Sequence, residues 1–205
     1  MMRDRVDIKR AFAAFRRDEE GVITIEFAIY FPLLLLLLAI SFLFFDAYRT
    51  NAKTEKVAYA VADIMSRYET VDTADLDYLV ALNQKMLPPR LDSRAIRITS
   101  ICFEDDQYKV LWSHAVADAS VGEYPPLTDA TLPLDIMPRM EDQESVILTE
   151  VQARWSPISN IGNLPKMLWQ NALVNSPRFL QIIPHTDLNS ATECPVIPEG
   201  AVGAA

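Results

Sequence analysis

The feature that most constrains this chain is an apolar run near its start. From Phe27 to Phe45 about 19 consecutive residues carry no charge, and at a helical rise of about 1.5 Å per residue they span roughly 28 Å. That length is close to the thickness of the hydrocarbon core of a bilayer. A helix satisfies its own backbone hydrogen bonds at that depth, so we predict a transmembrane helix over residues 22–45.

A cleaved secretory signal is the main alternative interpretation of this run. Such a signal has an apolar region of roughly 7–15 residues, followed by a small-x-small cleavage site. Here the run is longer, and it ends in FFDAY at residues 44–48, which is a poor site of that kind. An uncleaved anchor is therefore the favoured interpretation.

Basic residues flank the run unevenly and predict its orientation. Three follow it closely, at Arg49, Lys53 and Lys56, whereas six precede it, at positions 3, 5, 9, 10, 16 and 17. The positive-inside rule then places the N-terminus in the cytoplasm and everything after Phe45 outside. We expect a cytoplasmic leader over residues 1–21, an external domain over 46–192 and a loose Pro/Gly/Ala-rich tail over 193–205.

The external part of the chain is predicted to be acidic. The formal net charge is −9, from 19 basic and 28 acidic residues. The leader holds six of the basic and five of the acidic residues, which leaves thirteen and twenty-three, or −10, for the remainder. This balance argues against nucleic acid and against anionic lipid surfaces as partners.

The chain has two cysteines, Cys102 and Cys194. An oxidising compartment outside the membrane would permit a disulfide between them. Closing a loop of that length would contribute about 4–5 kcal/mol on the chain-entropy model. Two reduced, buried thiols are the alternative, since the sequence gives no distance between them.

Helical patterning continues beyond the apolar run. Residues 46–69 contain neither Gly nor Pro, and apolar side chains recur there at helical spacing, at Val57, Val61, Ile64, Met65 and Tyr68. We predict one helix from about Val22 to about Tyr68. Pro32 should bend it locally because proline removes a backbone donor. The outer stripe should cover the core of its own domain or a partner surface. A second helix is predicted from Asp72 or Thr73 to the prolines at 88–89.

Alternation of apolar residues predicts strands farther along. Residues 94–103 and 108–113 form a hairpin candidate, with Ile96, Ile98 and Cys102 on one face of the first strand and Tyr108, Val110 and Trp112 on one face of the second. Residues 145–155 and 178–183 are predicted as strands, 165–175 as a short helix and 114–144 as a long surface connection. The predicted fold class is α+β, a long N-terminal helix packed on a small antiparallel sheet.

No catalytic or cofactor motif is found in the sequence. The two histidines, His114 and His185, belong to no metal-binding pattern, and there is no Walker loop, GxGxxG or G-x-S-x-G. The acidic turn at 104–107 lacks the ligand spacing of a calcium loop. We therefore predict that the chain is not an enzyme and holds no metal or cofactor.

The most specific signal is EGVITIEF, residues 20–27. A charged leader ends in Gly21, an apolar helix begins at once, and Glu26 is the fifth residue after the glycine. This arrangement resembles the processing site of type IV pilin-like proteins. The longer stretch DEEGVITIEFAIYFPLLLLLL, residues 18–38, looks like the N-terminal signature of the TadE-like minor pseudopilins of tight-adherence (Flp) pilus systems. Outside residues 16–45, the Trp-containing hairpin near VLWS and the strand near VQARWSP are also similar to that family.

The resemblance implies a pilin-like external domain and an assembly function. A prepilin peptidase would cut between Gly21 and Val22, and Glu26 would pair with the N-terminal amine of a neighbouring subunit. The implied partners are that peptidase, other pseudopilins or the pilin, the inner-membrane assembly platform and the lipid bilayer. The implied location is the bacterial inner membrane, with a periplasmic external domain, or a surface pilus.

Two alternatives to this interpretation stay open. Glu26 would lie only about four residues inside the apolar helix, so it could simply extend to the headgroups as an interfacial glutamate. The whole chain could also be an uncleaved, single-pass periplasmic binding or scaffold protein that is unrelated to pili.

Overall fold

The structure is a computed structural model that describes residues 8–16, 21–89, 91–118, 120–121, 124–157, 165–188 and 194. The chain divides into two compact units, Met1–Phe44 and Phe45–Ala205. The described residues form helices α1 (Ile8–Phe15), α2 (Val22–Met65) and α3 (Thr73–Met86), strands β1 (Ser93–Glu104), β2 (Gln107–Ala117), β3 (Ser145–Trp155) and β4 (Met167–Asn175), and two 3₁₀ turns (Asp129–Thr131 and Leu134–Ile136).

Helix α2 is a single helix of 44 residues, which confirms the predicted long helix. It ends at Met65 rather than at Tyr68 because the last turn tightens. The backbone N–H groups of Arg67 and Tyr68 donate to carbonyls three residues back, at 3.1 Å each. Such i to i−3 bonds satisfy the carbonyls that a helix end leaves without partners.

The outer part of α2, within the second unit, carries a buried face at helical spacing. Two threonines lie on this face and satisfy their hydroxyl groups inside the helix, since Thr50 Oγ1 donates to the Asp46 carbonyl and Thr54 Oγ1 to the Thr50 carbonyl, each at 2.9 Å. Its apolar members are Ala47, Val57, Ala58, Val61, Ala62 and Met65. The expectation that this stripe covers the core of its own domain is confirmed.

Helix α3 begins and ends as predicted. Asp72 is its N-cap, and its side chain accepts the Asp75 N–H at 2.7 Å while the Asp75 side chain accepts the Asp72 N–H at 3.3 Å. This reciprocal capping box satisfies two donors that the first helical turn leaves free. Leu87 is the C-cap, immediately before the two prolines.

The four strands form one antiparallel sheet in the order β2-β1-β3-β4. The predicted hairpin of β1 and β2 is present, and a two-residue turn joins its strands. Asp105 and Asp106 both have positive φ, at 50° and 58°, a conformation that Asp tolerates better than most residues and that suits the twist of a tight hairpin. The antiparallel sheet of the prediction is confirmed.

One face assignment in the hairpin was wrong because the strand contains a bulge. Ser100 pairs with Trp112 and Ile101 with Val110, so Leu111 is an extra residue in β2. A bulge shifts the alternation of side chains by one position. Trp112 therefore packs in the cluster with α2 and α3, whereas Tyr108 and Val110 pack on the opposite face of the sheet.

The sheet is covered on both faces. One face packs against α2 and α3 through a cluster that includes Val61, Leu79, Ile98 and Ile147. The other face carries a second cluster of Ile101, Val146 and Leu148 with Leu127 and Leu132. The last two belong to the segment predicted as a surface connection over 114–144. That prediction was wrong in part, since β2 extends to Ala117 and the segment then folds back over the sheet.

Two further element assignments were also wrong. Residues 165–175 were predicted as a helix, but Met167–Asn175 forms strand β4, paired with β3 along its whole length. Residues 178–183 were predicted as a strand but form a series of bends. Ile182 and Ile183 of that segment are nevertheless buried, and the Ile183 carbonyl accepts the indole N–H of Trp112 at 2.8 Å.

Helix α3 offers a matched test of this packing, because adjacent residues differ in burial. Leu79 is fully buried whereas Tyr78 is 65% exposed. We expect Leu79→Ala to lower the free energy of unfolding by about 2–5 kcal/mol through lost burial and a cavity, and Tyr78→Ala to change it by about 0.5 kcal/mol or less. Urea denaturation followed by circular dichroism measures both. Equal effects of the two variants would contradict the packing of α3.

Candidate functional site

The residues with the most specific sequence signal lie at the start of α2. Gly21 is in a turn, and its carbonyl accepts the N–H of Ile25 at 3.0 Å. This is the first hydrogen bond of the helix, so Gly21 occupies the N-cap position directly before Val22. Residues 1–7 and 17–20 of the predicted leader lie outside the described residues. Gly21 is exposed.

Nothing in its described surroundings requires a glycine at position 21. A Cβ atom built there meets no atom within 4 Å, and the backbone φ lies outside the left-handed region that favours glycine. Ser, Thr, Asp or Asn would cap this helix better, because their side chains accept a free N–H of the first turn. The identity of Gly21 therefore has no explanation in the packing or the backbone of the described chain.

Glu26 lies one turn into α2, about 6 Å along the helix axis from Val22. Its side chain is exposed, and among the described residues it forms no hydrogen bond or ion pair. Gly21 and Glu26 are therefore exposed positions that lie close together in sequence, on either side of the first turn of α2. A carboxylate in this position can meet a cation that the described residues of the first unit do not supply.

The apolar part of α2 is long enough and apolar enough to cross a membrane, the one such helix in the described part of the chain. Its six consecutive leucines are exposed, at Leu33, Leu34, Leu35, Leu36, Leu37 and Leu38. The helix runs through Pro32 without interruption, although proline donates no hydrogen bond there. The bend predicted at Pro32 stays a prediction.

Continuity of α2 bears on the alternative of a cleaved secretory signal. The same helix that contains the apolar run also supplies Val57, Val61 and Met65 to the core of the second unit. A cut after the apolar run would create a new N-terminus on α2, close to the part of the helix that packs on the sheet. An uncleaved helix keeps those residues in one continuous element.

The two cysteines form a disulfide, Cys102–Cys194, with Cα atoms 5.8 Å apart. Cys102 lies in β1, and both residues are buried in a small cluster with Ile182. The bond joins positions 92 residues apart in sequence. It therefore attaches the end of the described chain to the central strand β1, near the hairpin turn.

A polar cluster that sequence reasoning missed lies on the second face of the sheet. Arg97 forms a bidentate ion pair with Glu150, with N–O distances of 2.6 and 2.8 Å, and stacks on the ring of Tyr124 at 4.6 Å. Burial and the Glu150 carboxylate raise the pKa of Tyr124 to about 12. Arg97 also donates to the Pro125 carbonyl at 3.0 Å, so the cluster holds the returning segment on the sheet.

The two histidines lie in the second unit, where His114 of β2 lies near Asp77 of α3. His114 Nε2 lies 3.6 Å from Asp77 Oδ1, which is longer than a hydrogen bond. Burial lowers the pKa of His114, and the Asp77 carboxylate opposes that shift. Among the residues that the structure describes, no group of three or more His, Cys, Asp or Glu side chains could hold a metal ion.

Comparison with protein-family profiles, with curated proteins and with solved structures gave no match to this chain.

Removal of the disulfide is expected to destabilise the second unit. Because the bond closes a loop of 92 residues, the double variant Cys102→Ala/Cys194→Ala should lose about 4–5 kcal/mol of unfolding free energy on the chain-entropy model. Urea denaturation of the full chain in detergent, with and without these substitutions, measures the loss. The unsubstituted chain, reduced while unfolded, is the control and should match the double variant. Coincident unfolding curves for oxidised and reduced protein would contradict this expectation.

Proposed function

We propose that this chain is a minor pseudopilin of a tight-adherence pilus system that a prepilin peptidase cuts after Gly21. The observation that carries the proposal is the accessible Gly21 directly before an uninterrupted apolar helix, with Glu26 one turn inside it. Since neither packing nor backbone conformation requires that glycine, recognition by another protein is a sufficient reason for it. The chain is then a structural and assembly component, and the peptidase is the catalyst.

In this proposal, α2 anchors the chain in the inner membrane with its N-terminus in the cytoplasm. The exposed leucines face lipid, where they no longer contact water. The second unit lies in the periplasm, whose oxidising environment suits the disulfide Cys102–Cys194. A long helix that continues into a small antiparallel sheet domain is compatible with a pilin-like architecture.

Glu26 then has a specific role in assembly. Cleavage creates an amine at Val22, and an amine and a carboxylate attract each other much more strongly in hydrocarbon than in water. Leaving either group unpaired at that depth is costly, so intramembrane charges tend to be paired and functional. We assign Glu26 to the Val22 amine of a neighbouring subunit, which would fix the register between subunits as the helix leaves the bilayer.

The proposed cleavage is tested at Gly21. Intact-mass analysis of membrane-extracted protein should show the loss of residues 1–21 and a new N-terminus at Val22. Gly21→Leu should leave the full-length precursor. Because a side chain at this position has open space around it, that result would report on the peptidase rather than on misfolding. Thr24→Leu, a change at another exposed position of α2, is the control and should be processed.

Any other mature N-terminus in the unsubstituted chain would overturn the cleavage. A full-length mature protein would favour the alternative of an uncleaved periplasmic binding or scaffold protein.

The proposed charge pair is tested by Glu26→Gln, which removes the charge and keeps the shape of the side chain. We expect normal cleavage but about tenfold less pilus on the cell surface, since interhelical polar pairs in membranes contribute about 1–2 kcal/mol. Glu55→Gln removes an exposed carboxylate from the same helix outside the apolar run and should leave pilus levels unchanged. Immunoblots of sheared surface fractions measure both. Equal pilus levels in the two variants would refute the pairing role of Glu26.

A further inference from the structure

Strand β4 forms an edge of the sheet that nothing covers among the described residues. It pairs with β3 over nine residues, and its other side faces no strand in the described parts of the chain. The sequence of β4, MLWQNALVN, contains no charged residue, no proline and no glycine. Soluble sheets usually protect an edge with such residues, because its free N–H and C=O groups pair readily with another strand.

The opposite edge of the sheet is protected. The Val110 N–H on β2 donates to Asp129 Oδ1 at 2.7 Å, and Ser113 Oγ on the same strand accepts the Leu127 N–H at 2.9 Å. The first of these bonds uses a main-chain N–H of β2 that an added strand would need, and the second, to a side-chain oxygen, holds the returning segment beside the strand. The two edges differ, because no described loop or side chain forms a hydrogen bond with the outer main-chain groups of β4.

A polar cavity of about 210 Å³ adjoins β4 on the second face of the sheet. It is lined by Arg97, Glu150, Val151, Gln152, Gln170, Asn171 and Ala172. Arg97 and Glu150 neutralise each other in their bidentate pair. The remaining polar lining includes the carboxamides of Gln152 and Gln170. Such a cavity suits an uncharged side chain that donates or accepts hydrogen bonds.

We propose that the edge of β4 binds an extended, uncharged segment of a different protein, which adds a fifth strand to the sheet. Main-chain hydrogen bonds to β4 supply the affinity. Alternate side chains of an added strand lie on the second face, and a carboxamide or hydroxyl side chain among them enters the cavity beside Gln170. This goes beyond the proposed function because it names a binding edge and the chemistry of its partner.

A two-fold second copy does not fit the edge in a membrane-anchored protein. Within the second unit, α2 and β4 run in the same direction. Asp46 contacts Trp155, which pairs with Met167 at the start of β4. Farther along both elements, Tyr48 contacts Trp169 and Asn51 contacts Asn171. Two copies paired antiparallel through β4 would have these helix segments pointing in opposite directions. Anchors in one membrane with the domains on one side require the same direction.

A head-to-tail arrangement of copies does not fit either. It would place β4 of one copy beside β2 of the next, with the helices parallel. The hydrogen bond from the Val110 N–H of β2 to Asp129 opposes that pairing, because the added strand would need this N–H. Exclusion of the two-fold copy rests on the membrane anchor of the proposed function. The open edge of β4 is observed independently of that function.

The binding edge is tested with a synthetic peptide of the β4 sequence, MLWQNALVN, added to the full chain in detergent. Antiparallel pairing of the peptide with β4, centred on Asn171, puts Leu168 opposite Val174 and Trp169 opposite Leu173, so apolar side chains face each other across the pair. Because the peptide carries no membrane anchor, it can pair in this direction. We expect it to slow amide hydrogen exchange of residues 167–175 by about tenfold, with little change in β2. No slowing in β4 at saturating peptide would overturn the proposal.

Charged substitutions on β4 separate binding at the edge from non-specific association. Ala172→Lys and Gln170→Lys each add a charge at an exposed position of β4, and each should weaken peptide binding by about tenfold or more. Ala130→Lys is the control, because it makes the same Ala-to-Lys change at an exposed position beside β2. This variant should bind the peptide as the unsubstituted chain does. Two edge variants keep the test valid if one of them unfolds. Binding equal to that of the unsubstituted chain in a folded edge variant would refute the edge.

Two further outcomes separate this inference from its alternatives. Protection of β4 that rises with protein concentration in the absence of peptide would show that a second copy occupies the edge, which overturns the choice of partner. The uncleaved Gly21→Leu chain should bind the peptide normally, because the edge lies in the second unit. Failure of cleavage and failure of strand addition therefore give different results.

Discussion

The rest of the second unit depends on the packing of one helix against one sheet face. Val57, Val61 and Met65 of α2 enter the same cluster as the central strands, and apolar burial of this kind is the main favourable term in folding. At the N-terminal end of this helix–sheet contact, a polar interaction is present: the Trp155 indole N–H donates to Asp46 Oδ2 at 2.9 Å. Because α2 begins in the apolar run and ends in this core, one element joins the two parts of the chain.

Local patterns in the sequence were enough to predict α2, α3, the β1–β2 hairpin and strand β3, whereas α1 was not predicted. The apolar spacing of α2 and the capping residues of α3 are signals contained within a few turns. Strand β4 was missed because a short uncharged segment is compatible with both periods, and pairing with β3 decides between them. The bulge at Leu111 and the burial of Leu127 were missed for a similar reason, since both depend on partners that are distant in sequence.

At the candidate site too, features that are local in sequence could be predicted, whereas contacts between distant residues could not. Gly21, Val22 and Glu26 are neighbours in sequence, so their spacing was visible at once, and the structure adds that Gly21 has no local reason to be glycine. Cys102 and Cys194 could be named as partners only because the chain has two cysteines. The ion pair of Arg97 with Glu150 could not be predicted, because it requires the register in which these two residues face each other across β1 and β3.

The proposed contacts at Glu26 and at β4 differ in the physics that makes them selective. A charge pair in hydrocarbon has a large interaction energy but discriminates poorly between partners, because any amine at the right depth in the bilayer would pair with Glu26. An added strand has many weak hydrogen bonds, and its side chains must match the cavity beside Gln170. Both contacts would contribute affinity, and the second would supply the discrimination, so together they would select a partner that offers both groups. A subunit with only the amine would leave the β4 edge unpaired, and a soluble strand would leave Glu26 unpaired, so neither would compete well with the full partner.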